Sequence, residues 1–195
     1  HASPPSLYKK LSYDPVKDFA AITLVSKAPL LFVAHPSVLA SNVQEFIAYA
    51  KQRPGAIRYA AQSGSSNGRL TMELFSRRAG LDMLYVPYKG PAFSLNALLA
   101  REAETSFLSV AAAWPQVNAG KLKVYAITSE KRFAGVPEIP TMIEAGLPGF
   151  ESTLWFAVFA PARTPLALIK KLNRDMVEIL QTPLFQAVTL AQGAE

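Results

Sequence analysis

The chain has 195 residues, half of them apolar and 17% charged, with a net charge of +6. That length allows one large domain or two small lobes, and the apolar half suffices for a core, which excludes a disordered chain. There is no cysteine, so a disulfide framework and a thiolate metal site are both excluded, and the basic residues (Lys9-Lys10, Arg77-Arg78, Lys170-Lys171) are too scattered for nucleic-acid binding.

Residues 1–5 are expected to be loose. Tyr13-Asp14-Pro15 is a turn signal. Phe19 to Val25 and Leu30 to Ala34 read as two strands, the second bounded by Pro29 and Pro36. Ser41 to Arg53 is a helix: Ser41 and Gln44 have the spacing of a capping box, and Val43, Phe46, Ile47 and Ala50 share one face. Pro54-Gly55 stops it. Residues 57–61 form a strand, followed by a Ser/Gly turn and a helix to about Arg78, closed by Gly80. Leu84 to Val86 is a strand. Pro91 starts a helix with Ala92, Leu95, Leu98 and Leu99 inward. Ala103 to Leu108 is a strand, Ala111 to Ala119 a helix, Lys123 to Thr128 a strand. Residues 129–150 are a Pro/Gly-rich connection with one helical turn at Thr141 to Ala145. Glu151 to Phe159 is an apolar strand; its core, Leu154 to Ala160, is the longest apolar run and far too short for a membrane span. Thr164 caps a helix with Pro165 at its first position and Ile169, Leu172, Met176 and Ile179 on its apolar face. Pro183 breaks it, and a final helix runs to Ala191. The alternation over residues 29–128 predicts a parallel, layered α/β sheet, whose ligands sit beyond the carboxyl ends of the strands.

The turn Gln62-Ser63-Gly64-Ser65-Ser66-Asn67-Gly68 carries the functional signal. A strand, a turn of small polar residues and a helix start together make an anion site, because the first helical N–H groups lack partners and the helix dipole is positive there. Glycines let the backbone approach a ligand closely. The turn holds no histidine, no cysteine and no carboxylate, so nothing in it is set to attack a bond. It lacks the Gly-Lys-Ser/Thr of a phosphate-binding loop and the spacing of a dinucleotide fingerprint. An ordinary turn with Ser65 or Ser66 as N-cap has the same local sequence.

Several stretches, in this order, resemble the Bug family, the TctC-like substrate-binding proteins of tripartite tricarboxylate transporters. They are Tyr13 to Phe19, Tyr59 to Leu70, Val86-Pro87-Tyr88-Lys89-Gly90, Ala119-Gly120-Lys121-Leu122, Pro137 to Gly149, and Trp155-Phe156 through Ala160-Pro161. The resemblance implies an α/β, periplasmic-binding-protein-like fold of type II, with two lobes of layered α/β sheet joined by crossing strands. It implies a periplasmic receptor for a small carboxylate, with membrane transporter subunits as partners and neither enzyme activity nor cofactor. The family begins with a strand and a Pro/Gly-rich loop that have no counterpart here. Residues 35–128 are therefore expected to form a complete second lobe, and 1–34 with 129–195 an incomplete first one. A homodimer is one way to cover the surface that such a lobe exposes. The family usually has Gly where Ser63 stands and His where Arg69 stands.

The expected ligand contacts are Ser63, Gly64, Ser65, Ser66, Asn67 and Ser109. Arg69 either opposes the helix dipole or points at the ligand. Lys89 is expected to be a solvated charge, and Ser109 is equally an N-cap. Phe107 and Trp155 are expected in the core. His35 has no second histidine nearby, so no metal is expected. Glu102 and Glu104 would face opposite ways on a strand, against a paired-carboxylate site. Two alternatives remain. One is a ligand-sensing module of a regulatory system on the same fold. The other is an α/β hydrolase or transferase, which would need a nucleophile–base pair.

Overall fold

A computed structural model describes residues 9–195; the expectation for residues 1–5 lies outside them. Within this range the chain forms two compact units, residues 9–27 with 155–195 and residues 28–154. The sequence reading divides the lobes at 34/35 and 128/129.

The elements are β1 (Phe19–Ala34), α1 (Val43–Lys51), β2 (Arg58–Gln62), α2 (Asn67–Ala79), β3 (Leu84–Tyr88), α3 (Pro91–Leu99), β4 (Thr105–Ser109), α4 (Val110–Asn118), β5 (Lys123–Ile127), β6 (Thr153–Pro161), α5 (Leu166–Leu180) and α6 (Pro183–Ala191). The sheet order is β3-β2-β4-β1-β5, and β6 pairs with β1. β2 runs parallel to β3 and β4, whereas β1 is antiparallel to both β4 and β5. The purely parallel sheet expected from the alternation is thus a mixed one: β2 to β5 share a direction and β1 runs against them. β1 enters before any crossover helix, so no right-handed βαβ rule fixes its direction.

The two strands expected at the front are one strand of 16 residues. Pro29 does not end it, because ladder pairing with β4 begins only at Leu30, opposite Ser109, and a proline just outside the ladder removes no bond. The first cap sits one residue later than expected. Asn42 is the N-cap and accepts the Glu45 N–H at 2.9 Å, while Glu45 accepts from the Ser41 N–H at 2.8 Å. Gln44 is instead engaged across the fold, donating to the Ala145 carbonyl. Pro165 is the N-cap of α5, with no side-chain cap bond. Ala92 is exposed, while Leu95, Leu98 and Leu99 pack inward as expected.

The core of the larger unit lies on both faces of the sheet. One face holds Phe32, Phe46, Tyr59, Met72, Phe75, Phe107, Tyr125 and Phe150; the other holds Leu31, Val33, Leu98, Leu108, Ile127 and Phe133. Alternation along β1 explains the split, since Leu31 and Val33 face opposite to Phe32. In the smaller unit, Asp14 accepts the N–H groups of Val16 and Lys17, which builds the expected turn. Neither α5 nor α6 has a buried residue, and Leu166, Ile179 and Leu184 are well exposed. No helix of the described residues is long and apolar enough to cross a membrane.

Arg58 and Glu104 tie the start of β2 to the approach of β4. The Arg58 guanidinium donates to Glu104 at 2.6 Å and 3.1 Å, and its backbone N–H donates at 2.7 Å. Burial alone would raise the Glu104 carboxyl, but these bonds hold it below the ordinary value. A carboxyl lowered in the folded state stabilises above its unfolded value and loses that contribution as the pH falls through the folded one. Glu104→Gln is therefore expected to cost about 1 kcal/mol near neutral pH, discounted because Arg58 is partly exposed. The gap to the parent should narrow as the pH falls through the lowered folded-state value of Glu104, as urea unfolding at several pH values would read.

Candidate functional site

The carboxyl ends of β2 and β4 and the amino ends of three helices meet at one cavity of about 270 Å³ in the larger unit. Three chain reversals build it. After β2 the chain turns through Ser63 to Ser65 into α2, with Gly64 at a φ of +79° that favours glycine. After β3, Gly90 leads into Pro91 at the start of α3, where a missing N–H costs nothing. After β4, Ser109 is the N-cap of α4.

Of the expected contacts, Ser66, Asn67 and Ser109 line the cavity; Ser63, Gly64 and Ser65 do not, and are exposed in the turn. The turn lies at the edge because the Ser63 N–H is already bonded to the Tyr88 carbonyl, which continues the β2–β3 ladder. Gly68 is small for a reason other than ligand approach. A Cβ there would stand 2.7 Å from the Phe107 carbonyl oxygen, so α2 begins directly against the backbone of β4. The sequence reading did not include Ser94, Ser106, Leu30 and Leu154, which complete the wall. Their spacing carries no site signal, because they come from four separate elements. Phe107 is both core and wall, whereas Trp155 is partly exposed rather than core.

Counting hydrogen atoms separates the donors that are free from those that are used. The Ser66 hydroxyl donates to the Gln62 carbonyl at 2.8 Å and accepts the Arg69 N–H at 3.4 Å. Ser106 donates to Ala60 O at 2.7 Å, and Ser94 to Gly90 O at 3.4 Å. A hydroxyl has one hydrogen, so these three can only accept further bonds. At the cavity, other polar groups lack a partner among the described residues. The N–H groups of Asn67 and Gly68 have no partner. Asn67 Nδ2 is buried without a partner. No side chain caps α3 or α4, and the Ser109 hydroxyl donates to no group among the described residues.

The lining includes no ionisable side chain. Apart from Gln62, its remainder is apolar, from Leu30, Ala61, Pro91, Phe107, Leu108, Ala112 and Leu154. Leu30 is fixed from behind: its N–H donates to Thr128 Oγ1, which donates in turn to Ser152 O. The arrangement can hold an acceptor-rich head on neutral donors and helix ends, with an apolar body beside it. Nothing in the lining is a nucleophile paired with a base.

The residues singled out for other chemistry lie elsewhere. Arg69 turns back onto its own turn, donating to Gly64 O at 3.1 Å. Lys89 is exposed. Glu104 is bound to Arg58, and Glu102 accepts the Tyr88 hydroxyl; neither belongs to a strand. His35 bonds Ser37 through Nδ1. No cluster of three metal-ligating side chains exists among the described residues.

The chain is similar to proteins of known kind over nearly its whole length. BugT of Bordetella pertussis is 33% identical over 97% of this chain. Among solved structures, R. palustris Rpa4515 with adipate is 32% identical with a TM-score of 0.82 over 97% of this chain. MatC (Rpa3494) of Rhodopseudomonas palustris with bound malate is 30% identical with a TM-score of 0.80 over 98%. The chain spans 58% of the length of BugT, and 63% and 65% of the two structures. The fold is thus the mixed α/β fold of the periplasmic binding proteins. A family model described as "Tripartite tricarboxylate transporter family receptor", TctC, matches residues 1–195, and the chain belongs to that receptor family.

Proposed function

We propose that this chain is the ligand-holding part of a periplasmic receptor that captures a small organic carboxylate for a tripartite tricarboxylate transporter, without transforming it. The observation that carries the reading is the set of unpaired donors at the cavity: the N–H groups of Asn67 and Gly68, the buried Asn67 Nδ2 and the Ser109 hydroxyl. A carboxylate supplies acceptors only, so each of its oxygens answers a donor that is otherwise unsatisfied. The Ser/Gly turn contributes shape and the helix end, with Ser63, Gly64 and Ser65 on its exposed outer side. The adipate- and malate-bound relatives support an acid with a short body. The apolar wall of this cavity favours one whose body beside Phe107 and Leu154 carries few hydroxyls.

Thermal unfolding against a panel of acids tests the reading. The panel holds adipate, malate, a tricarboxylate and an aromatic acid, each with its neutral amide. An acid present at about a hundred times its dissociation constant stabilises by about 2.7 kcal/mol, or a shift of roughly 5–10 °C for this chain length. No shift with any acid, or equal shifts with the amides, would overturn it. Asn67→Ala combined with Ser109→Ala is expected to weaken the best acid by about 1.5–3 kcal/mol per bond lost to a charged group. Isothermal titration reads that loss, and unchanged affinity would remove these two donors from the site.

A further inference from the structure

We infer that Arg69 is a positioning residue: together with Tyr85 it holds the Gln62–Ser66 turn in the shape that opens the start of α2 to an anion. The inference rests on the carboxylate reading of the cavity. Arg69 does not line that cavity, so it acts through the turn rather than on the ligand.

A cation in the first turn of a helix opposes the dipole, so its place there calls for a compensating contact. Two contacts are present. The guanidinium Nη1 donates to Gly64 O at 3.1 Å, and Cζ lies 4.3 Å from the centroid of the Tyr85 ring. The Tyr85 hydroxyl then donates to Gln62 O at 3.2 Å, the carbonyl that also receives the Ser66 hydroxyl. The carbonyl oxygens of Gln62 and Gly64 are thus both held by donors. Packing does not do this work: a Cβ at Gly64 would have nothing within 4 Å. The turn is an open loop, and its conformation depends on these bonds.

The platform beneath Arg69 is itself anchored. Tyr85 stacks on Tyr59 with centroids 5.3 Å apart, and they are register partners on β3 and β2. The Tyr59 hydroxyl donates to Glu73 one turn further along α2 at 2.5 Å. Arg69 and Glu73 are four residues apart on one helix face, so the two tyrosines hold α2 at two successive turns. A carbonyl released from such a turn would place partial negative charge beside the site, opposing a carboxylate.

Amide exchange on the ligand-free chain, followed by titration with adipate, tests the inference. Arg69→Gln is expected to raise exchange about tenfold at Ser63 and Leu70, whose N–H groups bond Tyr88 O and Ser66 O at the two ends of the turn, while β4 amides stay unchanged. It should weaken adipate binding about tenfold, equally at low and high salt. Tyr85→Phe should act in the same direction on both readouts. Arg69→Lys should restore part of the binding, because its ammonium still donates to Gly64 O. Unchanged turn exchange in Arg69→Gln would overturn the inference. So would a loss of affinity that vanishes at high salt while Tyr85→Phe binds normally, since that marks a direct charge contact. The exchange readout needs no ligand, so a chain that binds no acid would defeat the carboxylate reading without touching the clamp.

Discussion

Replacing Phe32 with alanine is expected to cost about 3–5 kcal/mol of folding stability, the largest effect of any single truncation in the larger unit. Phe32 is fully buried near the carboxyl end of β1, between β4 and β5. Its ring centroid lies 4.8 to 5.3 Å from those of Phe46, Phe75, Phe107 and Tyr125. Truncation removes the transfer energy of a large side chain and leaves a void whose walls are rings held by their own contacts, so they collapse poorly. Domains of this kind hold only about 5–15 kcal/mol in total, so the variant would be close to unfolding at 37 °C. The melting temperature should fall by roughly 6–20 °C. Because Phe107 is also a wall of the cavity, ligand stabilisation should fall as well. A loss below about 1 kcal/mol would mean that the cluster refills the space and is not the organising core.

The second large effect falls on binding. Gly68→Ala is expected to reduce carboxylate affinity about tenfold to a hundredfold, and to destabilise the chain by about 1–3 kcal/mol. The new methyl carbon would stand 2.7 Å from the Phe107 carbonyl oxygen, and backbone cannot step aside as a flexible side chain can. The start of α2 must therefore move off β4, taking the free N–H groups of Asn67 and Gly68 with it. Gly64→Ala is the informative contrast. Gly64 has open space but a φ of +79°, so the cost is backbone strain of about 1–2 kcal/mol without a steric push on α2. Calorimetric titration beside thermal melts separates the two. Equal affinity in the parent and Gly68→Ala would take the first turn of α2 out of the site.

Much of the fold was legible from local patterns. Capping chemistry and a 3.6-residue apolar period marked α1 and α2, and short apolar runs between Gly and Pro marked β2 to β5. Misreadings arose where a local signal was outweighed by something distant. Pro29 looked like a boundary, but the ladder happens to begin one residue later. Ser41 and Gln44 had the spacing of a capping box, yet Gln44 is drawn away by Ala145, a residue about a hundred positions along the chain. Thr164 looked like a cap, but α5 begins after Pro165.

The candidate cavity was legible in the sequence only in part. The Ser/Gly turn announced a strand, a reversal and a helix end, and Ser66, Asn67 and Ser109 do line one cavity. The sequence could not say which hydroxyls have a free hydrogen. Ser66 looks like a donor in the sequence but gives its hydrogen to Gln62 O; Asn67 looks like an ordinary helical residue but holds an unpaired amide. Arg69 offered two readings in the sequence, and the structure turns it onto Gly64 O and the Tyr85 ring of the neighbouring strand.

By itself, then, the sequence determined the α/β alternation, the reversal at Ser63 to Ser66 and the lack of any histidine, cysteine or carboxylate in that reversal. These follow from local propensity, periodicity and residue chemistry, which act over a few residues. The tertiary structure decided the antiparallel course of β1, the meeting of three helix starts at one cavity, the close seat of Gly68 on Phe107 and the turning of Arg69 onto Tyr85. Each depends on which segments become neighbours after the chain is packed. That choice is set by burial summed over the whole core, a quantity no short stretch of residues contains.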